Sequence, residues 1–247
     1  MNDTLTLEQP TTPRNGKAGG CSSAPICSPL VAALYVQPDG CYAGLEWVDT
    51  WPKERDARLY NGPYPVVAQP PCQRYGNLGI ANYARWGGEH NRPMNDGGCF
   101  AAALAAVNCW GGVLEHPANS RAWPAYNLNA PERGKWTRSG IGWVCEVWQS
   151  AYGHRASKKT WLYWRGEGQP EDMDWSQPVG THQIGFQDQR GKDRNKPTLS
   201  PREANATPIR FRDALLRLAC MANAGTQRPG TPDGSLATET RKPGSLE

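Results

Sequence analysis

The chain has 247 residues, with Lys+Arg 27 against Asp+Glu 23 and a formal net charge of +4. That length can bury a full core as one α/β domain with appendages, and the mild basic excess admits a nucleic-acid partner without demanding one. No apolar run approaches membrane-span length and the opening MNDTLTLEQP has no basic-then-apolar leader pattern, so a soluble, cytoplasmic protein with no membrane partner is expected.

Residues 1–28 are polar and rich in Thr, Pro, Gly and Ser, which predicts a flexible arm; residues 223–247 read in the same way as a disordered tail. The folded part is then 29–222. LVAALYV (30–36), LEWVDTW (45–51) and PVVA (65–68) are apolar, strand-like runs, the last of a kind covered on both faces of a sheet. NDGGCFAAALAAVNCWGG (95–112) predicts an alanine-rich helix, with Asp96 as its N-cap and Gly111-Gly112 as its stop. GVLEHP (112–117), WVCEVWQSAYG (143–153) and KTWLYW (159–164) are further strand candidates. A last helix is expected in 201–222, with Phe211, Leu215, Leu218 and Ala222 on one face. Strands alternating with helices suggest an α/β fold with a mixed sheet. The polar stretch 165–200 reads either as a recognition or lid loop or as simple disorder.

Eight cysteines contain no CxxC pair, and the four histidines are scattered, so a disulfide framework and a zinc site are the poorer readings. Most of the thiols are expected to be small buried hydrophobes. Eleven tryptophans suit either packing or stacking on bases; Trp86, Trp110, Trp123 and Trp143 are read as core.

In open α/β sheets, ligands bind beyond the carboxyl ends of the strands. Two such ends carry reactive groups: Cys72 after VVAQPP, and Glu115 after GGVL. If their strands are neighbours, a thiol and a carboxylate face one cleft. That pair suits covalent activation of cytosine. A thiolate adds to C6 while a carboxylic acid holds or protonates N3, and the resulting enamine is nucleophilic at C5. The thiol needs a cation nearby, for which Arg74 is a candidate. A base inside a duplex must first be extruded.

These residues resemble a family. PPCQRYGN resembles the proline–cysteine–glutamine motif of DNA cytosine-C5 methyltransferases, and GGVLEHPANSRAW their glutamate motif. SAYGHRASKKTWLYW is similar to the later block in which a Tyr-Gly turn precedes basic residues and a strand. TLSPREANATPIRF is similar to the Thr-Pro-Arg-Glu segment near the family's end. The four blocks stand in the family's order over about 65–215 and are closest to its short phage or prophage versions. The resemblance implies a Rossmann-like mixed sheet flanked by helices, a trimmed class I methyltransferase-like fold. It implies S-adenosylmethionine as methyl donor and DNA with a flipped cytosine as substrate. Cys72 would be the nucleophile and Glu115 the partner of N3. Arg155 would touch the base or orient the glutamate, with Lys158 and Lys159 as alternatives. Gln73, Arg74, Lys158 and Lys159 would contact substrate. Tyr35, Gly40, Gly44, Asp49 and Pro70 would line the cofactor site, with Asp56 an alternative to Asp49 for a ribose hydroxyl.

The sequence also departs from that pattern. The family's loop of Phe-x-Gly-x-Gly-Gly type corresponds here to LYVQPDGCYAGLE, with different glycine spacing. Only 37 residues separate Leu34 from Pro71, too few for two strand–helix–strand units of about 30 residues each. Two other functions therefore stand beside the first: a pyrimidine-modifying enzyme with another donor or a nucleotide substrate, and a methyltransferase-like DNA-binding protein without catalysis. Plainer readings stand beside the site as well. Cys72 is an inert strand-end thiol, Glu115 pairs with Arg121, and Arg155, Lys158 and Lys159 form a solvated edge. Arg55, Asp56 and Arg58 form an exposed ion-pair run.

Overall fold

The computed structural model describes residues 30–185 and 195–223. The calls on the N-terminal arm, the C-terminal tail and 186–194 lie outside the described residues. Among the described residues nine strands and five α-helices follow in chain order: β1 Val31–Leu34, β2 Val48–Trp51, β3 Val66–Ala68, α1 Asn77–Trp86, α2 Cys99–Trp110, β4 Gly112–Pro117, α3 Ala122–Ala125, β5 Thr137–Ser139, β6 Gly142–Trp148, β7 Lys159–Arg165, β8 Gln183–Ile184, β9 Thr198–Leu199, α4 Pro201–Asn205 and α5 Ile209–Asn223. Seven strands form one sheet in the order β2-β1-β3-β4-β7-β6-β5; β8 and β9 form a separate parallel pair. The first four strands run parallel, and β7, β6 and β5 continue the sheet by antiparallel pairing.

This is an α/β architecture with a mixed sheet flanked by helices, compatible with a Rossmann-like fold. Alternation along the strands divides the core into two layers. Val31, Ala33, Val67 and Val113 face one side, where α5 lays down Phe211, Ala214, Leu215, Leu218, Ala219 and Ala222. Ala32, Leu34, Val66, Ala68 and Leu114 face the other, against Phe100, Ala103 and Val107 of α2. Each fully buried Leu, Val or Phe side chain contributes about 1.5–3 kcal/mol of transfer free energy. Alanine at 103 and 106 keeps α2 close to the sheet.

Helix α2 starts later than expected, at Cys99. Asp96 still serves it, accepting from the backbone N–H groups of Gly98 (3.0 Å) and Phe100 (2.7 Å). Gly111 ends it in a left-handed conformation, and Gly112 at φ +117° opens β4 so tightly against β3 that a Cβ there would lie 2.0 Å from the Val66 carbonyl oxygen. The expected strand 143–153 ends at Trp148, and Gln149–Tyr152 forms a 3-10 turn. The expected final helix divides into α4 and α5 around Ala206, Thr207 and Pro208. Ala206 is extended, and Thr207, directly before Pro208, is the residue the proline ring keeps out of the helical region. The described residues of 165–200 carry β8 and β9, and Trp136 and Trp143 donate to the Glu171 and Gly168 carbonyls there. Among the described residues no helix is long and apolar enough to cross a membrane.

Two packing expectations need correction. Trp86 is 70% exposed on α1, because NLGIANYARW carries no continuous apolar stripe; Trp123 is fully buried as read. Of the six described cysteines, all free, only Cys145 is buried, while Cys109 and Cys220 are exposed. The pairs Arg55–Asp49 and Arg58–Asp56 make the expected exposed ion-pair run.

Candidate active site

The chain leaves β1 toward β2 on one side and returns to β3 on the other. The change of direction makes the carboxyl ends of β1 and β3 the topological switch point of the sheet, where open α/β folds place a ligand crevice. The Gln69 N–H still bonds the Leu34 carbonyl (3.1 Å), after which Pro70 and Pro71 carry the chain out of the sheet to Cys72. The loop is fixed on both flanks. Tyr75 N–H closes a turn on the Cys72 carbonyl (3.0 Å), Met94 N–H binds the Arg74 carbonyl (2.9 Å), and Arg121 N–H binds the Tyr75 carbonyl (3.2 Å).

Glu115 comes from β4, the neighbour of β3, and by alternation points to the α5 side. It is 7% exposed. Its Oε1 accepts from Gln149 Nε2 (3.1 Å) and its Oε2 from Gln69 Nε2 (3.3 Å). Each glutamine also donates to a threonine hydroxyl: Gln149 to Thr160 (2.9 Å) and Gln69 to Thr207 (3.0 Å). A buried carboxylate is tolerable when both oxygens accept hydrogen bonds. Neither Arg121 nor Arg155 pairs with it.

Cys72 is half-buried. Burial pushes its thiol above the ordinary value, the Glu115 carboxylate pushes it further, and Lys158 opposes both. The sulfur and the carboxylate therefore lie within electrostatic reach of one another. Lys158, not Arg74, is the cation that acts on the thiol. Lys158 is the cation available to stabilise a thiolate.

The other sequence candidates take different places. Arg155 donates to Glu203 Oε1 (2.7 Å) and contacts His182, so it ties the turn after β6 to the capping box of α4. The expected role of orienting the glutamate falls to the two glutamines instead. Lys159 points to the α2 side, where it pairs with Glu146 (3.4 Å) and lies over the Trp148 ring (5.4 Å); it does not face the Glu115 side of the sheet. Gln73 is exposed and Arg74 half-buried beside Cys72, and Pro70 is buried.

Of the cofactor candidates, Tyr35 takes φ +62° directly after β1, a conformation that costs glycine less. Its hydroxyl donates to the Cys99 carbonyl (3.0 Å). Gly40 and Gly44 lie in a run of turns, with Gly40 N–H on the Gln37 carbonyl and Ala43 N–H on the Gly40 carbonyl. Asp49 sits inside β2, and both its oxygens are engaged, by Arg55 (2.6 Å) and by Trp51 Nε1 (2.8 Å). Both oxygens of Asp56 are held by Arg58. No helix joins β1 to β2, so no helix N-terminus faces the crevice from that connection. These residues do not form the cradle for S-adenosylmethionine that the resemblance implies.

His116, next to Glu115, points the other way into an aromatic cluster with Tyr75, Phe100 and Trp123. Burial lowers its pKa to about 4, only partly offset by the Pro71 carbonyl, so the ring is neutral near pH 7 and packs as part of the core. A groove of about 600 Å³ lined by Arg138, Ile141, Trp143 and Arg165 opens at the opposite edge of the sheet, away from Cys72.

The sequence reading missed Gln69, Gln149, Thr160 and Thr207. A signal was present for two of them. Gln149 and Thr160 share the strand parity of Cys145 and Leu162, which places polar side chains on a core-facing row. Comparison with known proteins finds no matching family model, no matching curated protein and no matching solved structure.

Proposed function

We propose that the protein modifies cytosine at C5, in DNA, through a covalent adduct between Cys72 and C6 of the base. The observation that carries this reading is that β3 and β4 are parallel neighbours and that Gln69, three residues before Cys72, donates to the Glu115 carboxylate (3.3 Å), which puts the acid beside the loop that bears the thiol. The pair enters with one proton. Transfer from sulfur to carboxylate leaves a thiolate, favoured by Lys158, and a carboxylic acid. The sulfur bonds to C6, the C5=C6 electron pair moves to C4=C5, the C4=N3 pair moves onto N3, and N3 takes the Glu115 proton. The product is an enamine whose C5 attacks an electrophile. As C5 takes the electrophile, C4=N3 re-forms and the N3 proton returns to Glu115; water then takes the C5 proton, the C5–H electrons re-form C5=C6, and Cys72 leaves as thiolate, which restores the ring.

DNA as the substrate is supported by the helix that follows Cys72 in the chain. Helix α1 presents Trp86 and Tyr83, 70% and 39% exposed, with Arg85 stacked on Trp86 (4.9 Å). Exposed aromatics interleaved with arginine suit a strand of unpaired bases. In the first reading the electrophile is the methyl group of S-adenosylmethionine. In the second it comes from another one-carbon donor. The missing helix after β1 and the engaged Asp49 favour the second, and no step above depends on the choice.

The test avoids the donor. An enamine in water exchanges its C5 hydrogen, so the protein should release tritium from DNA carrying [5-³H]cytosine. Release by wild type and none by Cys72→Ala is the expected result. Equal release by both removes the proposal, and so does none by either. Salt-dependent DNA binding that survives Cys72→Ala without exchange would leave a methyltransferase-like DNA-binding protein.

A further inference from the structure

Gln149 is wholly buried and rigidly held. Its backbone N–H donates to the Lys158 carbonyl (2.9 Å), and its own carbonyl accepts from His154 N–H (3.0 Å). Both hydrogens of its side-chain amide are used, one on Glu115 and one on Thr160. Its side-chain oxygen is buried with no hydrogen-bond partner. Leaving an amide oxygen dry costs about 1–3 kcal/mol, and such a group calls for an explanation in function.

We propose that Gln149 is the positioning residue of Glu115, and that its amide turns over when Glu115 carries a proton. This rests on the reading of Glu115 as the group that delivers a proton to N3. An ionised carboxylate can only accept, and the Gln149 amide nitrogen supplies the donor seen in the structure. A protonated carboxyl must donate, and the nearby acceptor is the same residue's idle oxygen, brought round by half a turn of the amide. Thr160 accommodates both states, because its hydroxyl accepts from the nitrogen in one and donates to the oxygen in the other. Gln69 keeps its grip on the second carboxylate oxygen throughout. Cys72 and the buried Tyr42 hydroxyl are titratable groups within electrostatic reach of Glu115. A neutral glutamine thus holds the acid without fixing its charge, which an arginine in the same place would do.

The experiment is a double-mutant cycle on tritium release, using Gln149→Met, which keeps the shape but neither donates nor accepts. Gln149→Met should lower kcat by about tenfold or more with KM changed by less than about threefold. In a Glu115→Gln background the same substitution should cost less than about twofold. An equal loss in both backgrounds, or a rise in KM alone, would overturn the proposal. A second measurement does not need activity or the Gln149 variant. In the NMR spectrum of the ¹⁵N-labelled protein, the Gln149 side-chain amide pair should move when Glu115 is changed to Gln; an unmoved pair also overturns the proposal. Absence of tritium release from wild type would count against the cytosine reading, while the amide signals would still decide whether Gln149 is tied to Glu115.

Discussion

The carboxyl ends of β3 and β4 lie along the same edge of one sheet as those of β1 and β2, yet their side chains meet different fates. After β3 and in β4, Cys72 remains a free half-buried thiol and Glu115 is held only by neutral amides. Along β1 and β2, Tyr35 and Asp49 are closed off by Cys99, Arg55 and Trp51. The difference follows from the connections. Between β3 and β4 a full helix, α2, covers the sheet and spaces the ends; between β1 and β2 there are only turns, and polar side chains there satisfy one another. A reactive pair on one half and a self-satisfied frame on the other make a comparison that substitutions can break.

The largest effects belong to the β3–β4 half. Cys72→Ala should abolish tritium release, and Glu115→Gln should reduce it by about 10²–10⁴-fold, the usual range for a general acid. If Asp49→Asn did the same, the comparison would fail. Next comes His116. Its folded pKa of about 4 lies below an unfolded value of about 6.5, so the neutral-ring contribution is complete above pH 6.5 and is lost as pH falls toward 4. The full difference amounts to about 3 kcal/mol. Urea midpoints should drop between pH 7 and pH 5, and His116→Phe should flatten that slope; an unchanged slope would mean the ring is not sealed in the aromatic cluster.

Smaller effects sharpen the electrostatics of the thiol. Iodoacetamide should alkylate Cys72 more slowly than an unhindered thiol at pH 8, because its thiolate fraction is low. Glu115→Gln removes a negative neighbour and should speed alkylation a few-fold; Lys158→Ala removes the opposing cation and should slow it. Rates that ignore both substitutions would separate the three groups. The smallest effect is expected from Asp49→Asn, which loosens a partly exposed ion pair and should cost under about 1 kcal/mol of stability, read from thermal melting.

Much of the strand placement was legible because parallel strands buried on both faces are short apolar runs, as in VVA and GVLEHP; the order of the strands was not. Helix α2 was legible between Asp96 and the paired glycines. Helix α1 was not, since its residues are mostly exposed and hold no apolar stripe. Strand β5 is three residues long and exists through its pairing with β6. At the site, Cys72 and Glu115 could be read from strand-end position. The partners of Arg155 could not. Glu203 lies 48 positions away, and the reason the two meet is the docking of α4 beside the turn after β6, which no local spacing encodes. The two glutamines were passed over because an amide carries no charge to draw attention. Their importance lies in burial and in the atoms they touch.

The central claim is that Cys72 and Glu115 act on one cytosine ring. An oligonucleotide carrying 5-azacytosine tests it most directly, since the nitrogen at position 5 makes C6 more open to attack and no donor is needed. The account predicts an adduct that survives denaturation, maps by mass spectrometry to the peptide bearing Cys72, and forms far more slowly in Glu115→Gln. An adduct on another residue, no adduct under conditions where the DNA is bound, or an unchanged rate in Glu115→Gln would contradict it.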